Sequence, residues 1–215
     1  PHYKKIFKHQ RHSFAYNIIV DEESIARSKE AVSHKWIDKK IGTLIVAAGR
    51  LDKEKGFKDL INAMLEVTKT KDVKLILIGD GPEKQNLLEQ INELGLSSTI
   101  DLIGFQSNPL KFFAHSDVFV LSSYAEGLPN VLVESMMCGC TPVATNCVTG
   151  PREVLQDGKY GYLVPLKSPQ EMSKAIITAV DNPISPQNLS KAIEPFKTKN
   201  VLNRHFKLLE LKEKF

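Results

Sequence analysis

From Thr43 onward the apolar residues fall into two alternating patterns. Short, nearly continuous apolar runs at 43–48, 74–78, 100–103, 118–121, 142–145 and 162–164 read as strands. Runs of this kind, without polar alternation, suit strands buried on both faces of a parallel sheet. Between them lie stretches with apolar residues at helical spacing. The clearest is 58–69, with Leu60, Ile61, Met64, Leu65 and Thr68 on one side. Stretches 83–94, 110–115, 131–137, 151–155 and 169–180 complete the helical set. The alternation predicts an α/β fold, a Rossmann-like open parallel sheet with helices on both faces. Ligands of such sheets bind beyond the carboxyl ends of the strands.

The flanks read differently. Residues 15–20 suggest a short strand or an extended linker, and 22–34 a polar, peripheral helix with little apolar face. Beyond 181 the composition turns polar, and Pro183, Pro186 and Pro195 break any long helix. Residues 201–214 form a basic amphipathic helix with Leu202, Phe206, Leu209 and Leu211 on its apolar side. The expected division is a linker or remnant of a preceding domain at 1–41, a ligand-binding domain at 42–182 and a helical tail at 183–215.

Charge narrows the function classes only a little. A net charge of +4 is too mild to argue for nucleic acid as a partner, and the 29 basic residues could serve phosphorylated ligands or an anionic membrane surface. Lys4, Lys5, Lys8 and Arg11, with no acid among them, offer either a membrane-facing segment or a solvated terminus, and the second reading is preferred. His2, His9 and His12 match no metal spacing. Cys138, Cys140 and Cys147 fit a reduced environment as buried thiols, and no metal site is expected because no second His or Cys pair stands at zinc-ligand spacing. No run is long enough for a membrane span and no signal peptide is evident, so the cytoplasm is the expected compartment, with the inner membrane face as an option. A chain beginning at Pro1 reads as a piece of a longer polypeptide.

The chemistry concentrates in AEGLPNVLVESMMCGCTPVA, residues 125–144. A strand leads through Ser122, Ser123 and Tyr124 into Glu126, a Gly127-Leu128-Pro129 turn and an amphipathic helical run at 131–137. Gly127 is expected to take a backbone conformation other residues resist, and Pro129 to sit in the helix's first turn. The free N–H groups and positive dipole end of such a helix attract anions, phosphate above all. Glu134, one turn into the helix, is placed to accept hydrogen bonds from a vicinal diol such as ribose. Glu126, on the loop, could hold a sugar hydroxyl. Each acid taken alone reads equally as a solvated surface carboxylate. Directly after the first strand comes Gly49-Arg-Leu-Asp-Lys-Glu-Lys-Gly56. It is no GxxxxGK[ST] loop, but Arg50, with its planar fork, and Lys55 could together neutralise a diphosphate without a metal. Gly79-Asp-Gly-Pro82 lacks the third glycine of a dinucleotide fingerprint and is read as structural.

Glu126-Gly-Leu-Pro-Asn130, with Glu134-Ser135 and Gly139-x-x-Pro142-Val143, resembles the Glu-x7-Glu signature of retaining GT-B glycosyltransferases, family 4 (group 1). Gly49-Arg-Leu, Lys55-Gly56 and Gly79-x-Gly-Pro82 extend the resemblance over roughly 42–180. It implies the donor-binding half of a two-domain transferase, taking a UDP-linked sugar without a resident cofactor or obligatory metal and retaining anomeric configuration. It further implies Arg50, Lys55 and Glu126 as catalytic, and Glu134, Gly127, Leu128, Pro129, Asn130 and Phe105 as substrate-binding, Phe105 beside the base. Subgroup resemblance points to a hexose or N-acetylhexosamine passed to a surface glycan or lipid-linked acceptor held by a missing N-terminal domain, toward which the C-terminal helix packs. Alone, the chain is expected to bind donor and transfer poorly. Thr149-Gly-Pro-Arg-Glu153 resembles a subgroup element, with capping and packing the preferred role for Arg152 and Glu153. A UDP-sugar epimerase of the same architecture and a non-catalytic nucleotide-sugar-binding module remain as alternatives, while a dehydrogenase is disfavoured.

Overall fold

The computed structural model describes residues 15–39 and 42–209. The basic run at Lys4 to Arg11, with its three histidines, lies outside them. Six strands form one sheet: β1 Thr43–Ala48, β2 Val73–Ile78, β3 Ile100–Leu102, β4 Val118–Leu121, β5 Thr141–Thr145 and β6 Tyr162–Val164. Their order is β3-β2-β1-β4-β5-β6, and every neighbouring pair is parallel. The chain builds outward from β1 in one direction and then returns to lay β4 against its other edge. The gap between the β1 and β4 exits is therefore the switch point at which such sheets bind ligands.

Strand periodicity divides the core in two. Val46, Ile76, Ile78, Phe119, Leu121 and Ala144 face one side, together with Leu132, Val133 and Met136. Ile45, Ala47, Leu75, Leu77, Val118, Val120 and Val143 face the other. The helices are α1 Glu22–Ser28, α2 Lys35–Asp38, α3 Phe57–Val67, α4 Lys84–Glu93, α5 Leu110–Phe113, α6 Asn130–Met137, α7 Pro151–Val154, α8 Pro169–Asp181, α9 Pro186–Ile193 and α10 Thr198–Leu208. α3, α4 and α8 cover the second face through Leu60, Ile61, Met64, Leu87, Ile91, Met172 and Ile176. α5, α6 and α9 cover the first. Each of these side chains removed from water stabilises the fold by roughly 1.5–3 kcal/mol before the entropy of ordering is counted.

Outside the sheet the sequence expectations need correction. The helix expected at 22–34 stops at Ser28: Asp21 and Ser24 close a capping box at its start, but α1 buries no residue, so nothing sustains it further. Trp36 is instead buried in the short α2, whose first turn is capped by His34. Residues 15–20 form no strand. They are held by one parallel bridge, Val20 to Lys197, and by hydrogen bonds to the Phe196 carbonyl. Pro186 opens α9 rather than only breaking a helix, with Ser185 accepting a hydrogen bond from Asn188 N–H. The final helix begins at Thr198 and is described to Leu208; its expected continuation to 214 lies outside the described residues.

Candidate donor site

The loops leaving β1 to β4 converge on one hollow of about 670 Å³. Its wall carries Gly49, Arg50 and Lys55 from the first loop, Gly79 and Asp80 from the second, and Phe105 and Gln106 from the third. The fourth loop and α6 add Glu126, Leu128, Pro129, Asn130 and Val131. The basic loop near the start of the sheet and the acidic loop 71 residues later thus share one space.

Local structure explains why Lys55 points there. Asp52 caps a 3₁₀ turn at Lys53–Lys55 by accepting from the Lys55 N–H. The turn is clamped to the β4 exit: Ser122 Oγ donates to the Lys55 carbonyl at 2.7 Å, and Tyr124 N–H to the Glu54 carbonyl at 2.7 Å. Lys55 Nζ then donates to Glu126 Oε1 at 2.7 Å, a pair only 27% and 12% exposed in its side chains. Arg50 behaves differently. Its side chain is 74% exposed and its Nε lies 3.8 Å from Asp52 Oδ2, leaving the guanidinium open to a ligand.

Pro129 is not in the first turn of α6 but just before it, in an extended conformation (φ −78°, ψ 90°), and no side chain caps the helix. With Pro129 lacking an N–H, the first amides available to a ligand are those of Asn130 and Val131, both on the wall. Gly127 does not adopt a left-handed φ, contrary to expectation. The glycine that the loop requires is Gly150, with φ +87°, where a Cβ would lie 1.9 Å from the Gly127 carbonyl oxygen. Thr149 Oγ1 donates to the Glu126 carbonyl at 2.6 Å from the same segment. Thr149 and Gly150 thus buttress the acidic loop. Arg152 pairs with Asp157, and Glu153 accepts from Tyr16 OH at 2.5 Å.

Neither Gly127 nor Glu134 lies on the wall of the hollow. Glu134 is half-buried in α6; burial pushes its carboxyl above the usual range, with the charge of Arg27 opposing the shift. Phe105 is 74% exposed at the rim, too open for a core aromatic. Sequence reasoning missed Asp80, Gln106 and Pro109 on the wall. Position directly after β2 or β3 was the available signal for the first two. Asp80 accepts from Lys84 Nζ at 2.8 Å and from Gly81 N–H at 2.8 Å, and these bonds hold its carboxyl below the usual range. The thiols are shielded: burial pushes Cys138 up to about 12 and raises Cys140 and Cys147. Among the described residues no three His, Cys, Asp or Glu side chains gather as a metal site, and no helix is long and apolar enough to cross a membrane.

The family model "Glycosyl transferases group 1" matches residues 28–195. An uncharacterized glycosyltransferase of Methanocaldococcus jannaschii is 44% identical over 113 residues, covering 52% of this chain and 28% of that protein. The N-acetylgalactosamine-N,N'-diacetylbacillosaminyl-diphospho-undecaprenol 4-alpha-N-acetylgalactosaminyltransferase of Campylobacter jejuni is 38% identical over 138 residues, 64% of this chain and 37% of its own length. The chain therefore spans well under half the length of these two curated relatives. Among solved structures, Anabaena HepE in complex with UDP superposes with a TM-score of 0.75 at 23% identity, over 91% of this chain and 56% of that one. A crystallised C-terminal domain of a Francisella tularensis group 1 glycosyl transferase gives 0.62 at 27% identity, over 79% of this chain and 90% of that domain.

Proposed function

The chain belongs to the group 1 glycosyl transferases, and from that premise we propose that the hollow between the β1 and β4 exits is the seat of a UDP-linked sugar donor. The observation that carries the reading is the convergence of Arg50, Lys55, Glu126 and the uncapped start of α6 on one wall. Two cations and two oriented amides are a set suited to a diphosphate, and negative charge grows there as the glycosidic bond to it breaks. In this reading Arg50, with its open guanidinium, takes diphosphate oxygens through its fork and Lys55 supplies a point charge. The amides of Asn130 and Val131 complete the cradle.

The remaining contacts follow from where the diphosphate would lie. Phe105, exposed at the rim, borders the base. Glu134 sits one turn along α6, behind the wall, where its half-buried carboxylate would accept hydrogen bonds from a ribose diol. Glu126 meets hydroxyls of the transferred sugar, and Leu128 and Pro129 shape the wall beside it, while Gly127 acts through its backbone.

The Campylobacter relative's name supports an N-acetylhexosamine donor and a lipid-linked acceptor. We take the same classes for the full-length protein, with retention of anomeric configuration and a peripheral association with a membrane surface. The acceptor would be held by a domain preceding this one, toward which residues 183–209 pack, so the present chain binds donor but transfers poorly by itself.

Calorimetric titration with UDP tests the site. Hydrogen bonds to charged groups are worth about 1.5–3 kcal/mol each, so Arg50→Ala is expected to weaken UDP binding by about one to two powers of ten. An unchanged affinity removes Arg50 from the site.

A further inference from the structure

Lys55 is the cation best placed on the wall, yet in this structure its charge is already spent on Glu126 at 2.7 Å. The backbone on both sides of the pair is fixed. Ser122 holds the Lys55 carbonyl and Thr149 holds the Glu126 carbonyl. Of the two side chains, the lysine has the longer stem, so its ammonium can swing while the carboxylate stays. Of the other charged groups on the wall, Arg50 stands beside Asp52 with its guanidinium open to solvent, and Asp80 is tied to Lys84. None of them replaces Lys55 as a partner for Glu126.

Building on the donor-site reading above, we propose that Glu126 is a specificity-determining residue that separates the sugar nucleotide from the free nucleotide by an exchange of partners. In this structure Glu126 neutralises Lys55. A diphosphate draws Lys55 away and strands a carboxylate whose side chain is only 12% exposed. Stranding one member of a largely desolvated pair is costly. A ligand carrying a sugar offsets that cost, because its hydroxyls donate to Glu126. Free UDP has no hydroxyl at that end, so it binds against an unpaired charge. The same acid that receives the donor sugar thereby weakens the grip on the nucleotide once the sugar has gone.

The test is a set of calorimetric titrations of the chain with UDP, UDP-glucose and UDP-N-acetylglucosamine at fixed ionic strength, on wild type, Glu126→Gln, Lys55→Met and the double variant. Thermal melting confirms that each variant is folded. Glu126→Gln is expected to bind UDP roughly tenfold tighter than wild type, as removal of an opposing charge at a ligand anion implies. UDP-sugar affinity should gain less or fall, so the preference for the sugar-bearing ligand shrinks. On the Lys55→Met background the Glu126→Gln change should lose its effect on UDP by more than half, because the two residues act as a coupled pair. UDP affinity that is unchanged or weaker in Glu126→Gln overturns the proposal, as does an equal gain for UDP and UDP-sugars. A wild type that binds none of the three removes the donor-site reading and this inference with it.

Discussion

Replacing Gly150 by alanine probes the buttress beneath the acidic loop. Gly150 has φ +87°, a conformation L residues rarely adopt, and strain of this kind costs on the order of 1–3 kcal/mol. The new Cβ would also lie 1.9 Å from the Gly127 carbonyl oxygen and 2.8 Å from Pro129 Cδ. Neither is the end of a flexible side chain, so the clash is relieved only by moving backbone, and such overpacking typically adds about 1–3 kcal/mol. The expected stability loss is therefore about 2–6 kcal/mol, or roughly 4–24 °C in Tm for a domain of this size. Any relief that shifts Gly127 and Pro129 also displaces Glu126 and the start of α6, and UDP binding should weaken with it. Gly127→Ala is the control, because no atom lies within 4 Å of its Cβ position and its φ is not left-handed. Its stability should stay within about 1 kcal/mol of wild type. Differential scanning calorimetry and UDP titration read both variants. A Gly150→Ala protein with wild-type Tm and wild-type UDP affinity refutes the buttress.

Further expectations concern titrating groups. Burial raises the Glu134 carboxyl, so the ionised form is disfavoured by folding and burdens the protein at neutral pH, the burden fading as pH falls through the carboxylate range. Glu134→Gln should therefore raise Tm more at pH 7 than at pH 4, while weakening nucleotide binding; equal shifts at both pH values contradict this. Burial and hydrogen bonds to carboxylates, Glu153 for Tyr16 and Asp59 for Tyr124, push both phenols up to about 12 from 10.0. Folding favours their neutral forms, so stability is intact below pH 10 and falls between about pH 10 and 12. Absorbance titration at the tyrosinate band should show late phases that vanish in Tyr16→Phe and Tyr124→Phe, and midpoints near 10 for both would contradict it.

Much of the sheet was legible because a strand buried on both faces leaves an uninterrupted apolar run, as in Thr43–Ala48 and Val118–Leu121. The strand order was not, since it is decided by which edges pair, and the direct ion pair that Lys55 makes with Glu126 across 71 residues stayed hidden. Local glycine chemistry misled for a related reason. Gly127 stands in the motif, but Gly150 carries the conformational demand, through a contact with Gly127 that only the fold creates. Trp36 belongs to no apolar stripe, so periodicity could not foresee its burial. The half-burial of Glu134 is equally a matter of what packs around α6, and no spacing of acids could report it.

A crystal structure of this chain with a UDP-sugar bound tests the central claim most directly. It is expected to show the diphosphate between the Arg50 guanidinium, the Lys55 ammonium and the amides of Asn130 and Val131, with Lys55 released from Glu126 and the sugar hydroxyls on that carboxylate. A nucleotide bound elsewhere, or one lying in the hollow with the Lys55–Glu126 pair still closed, would contradict it.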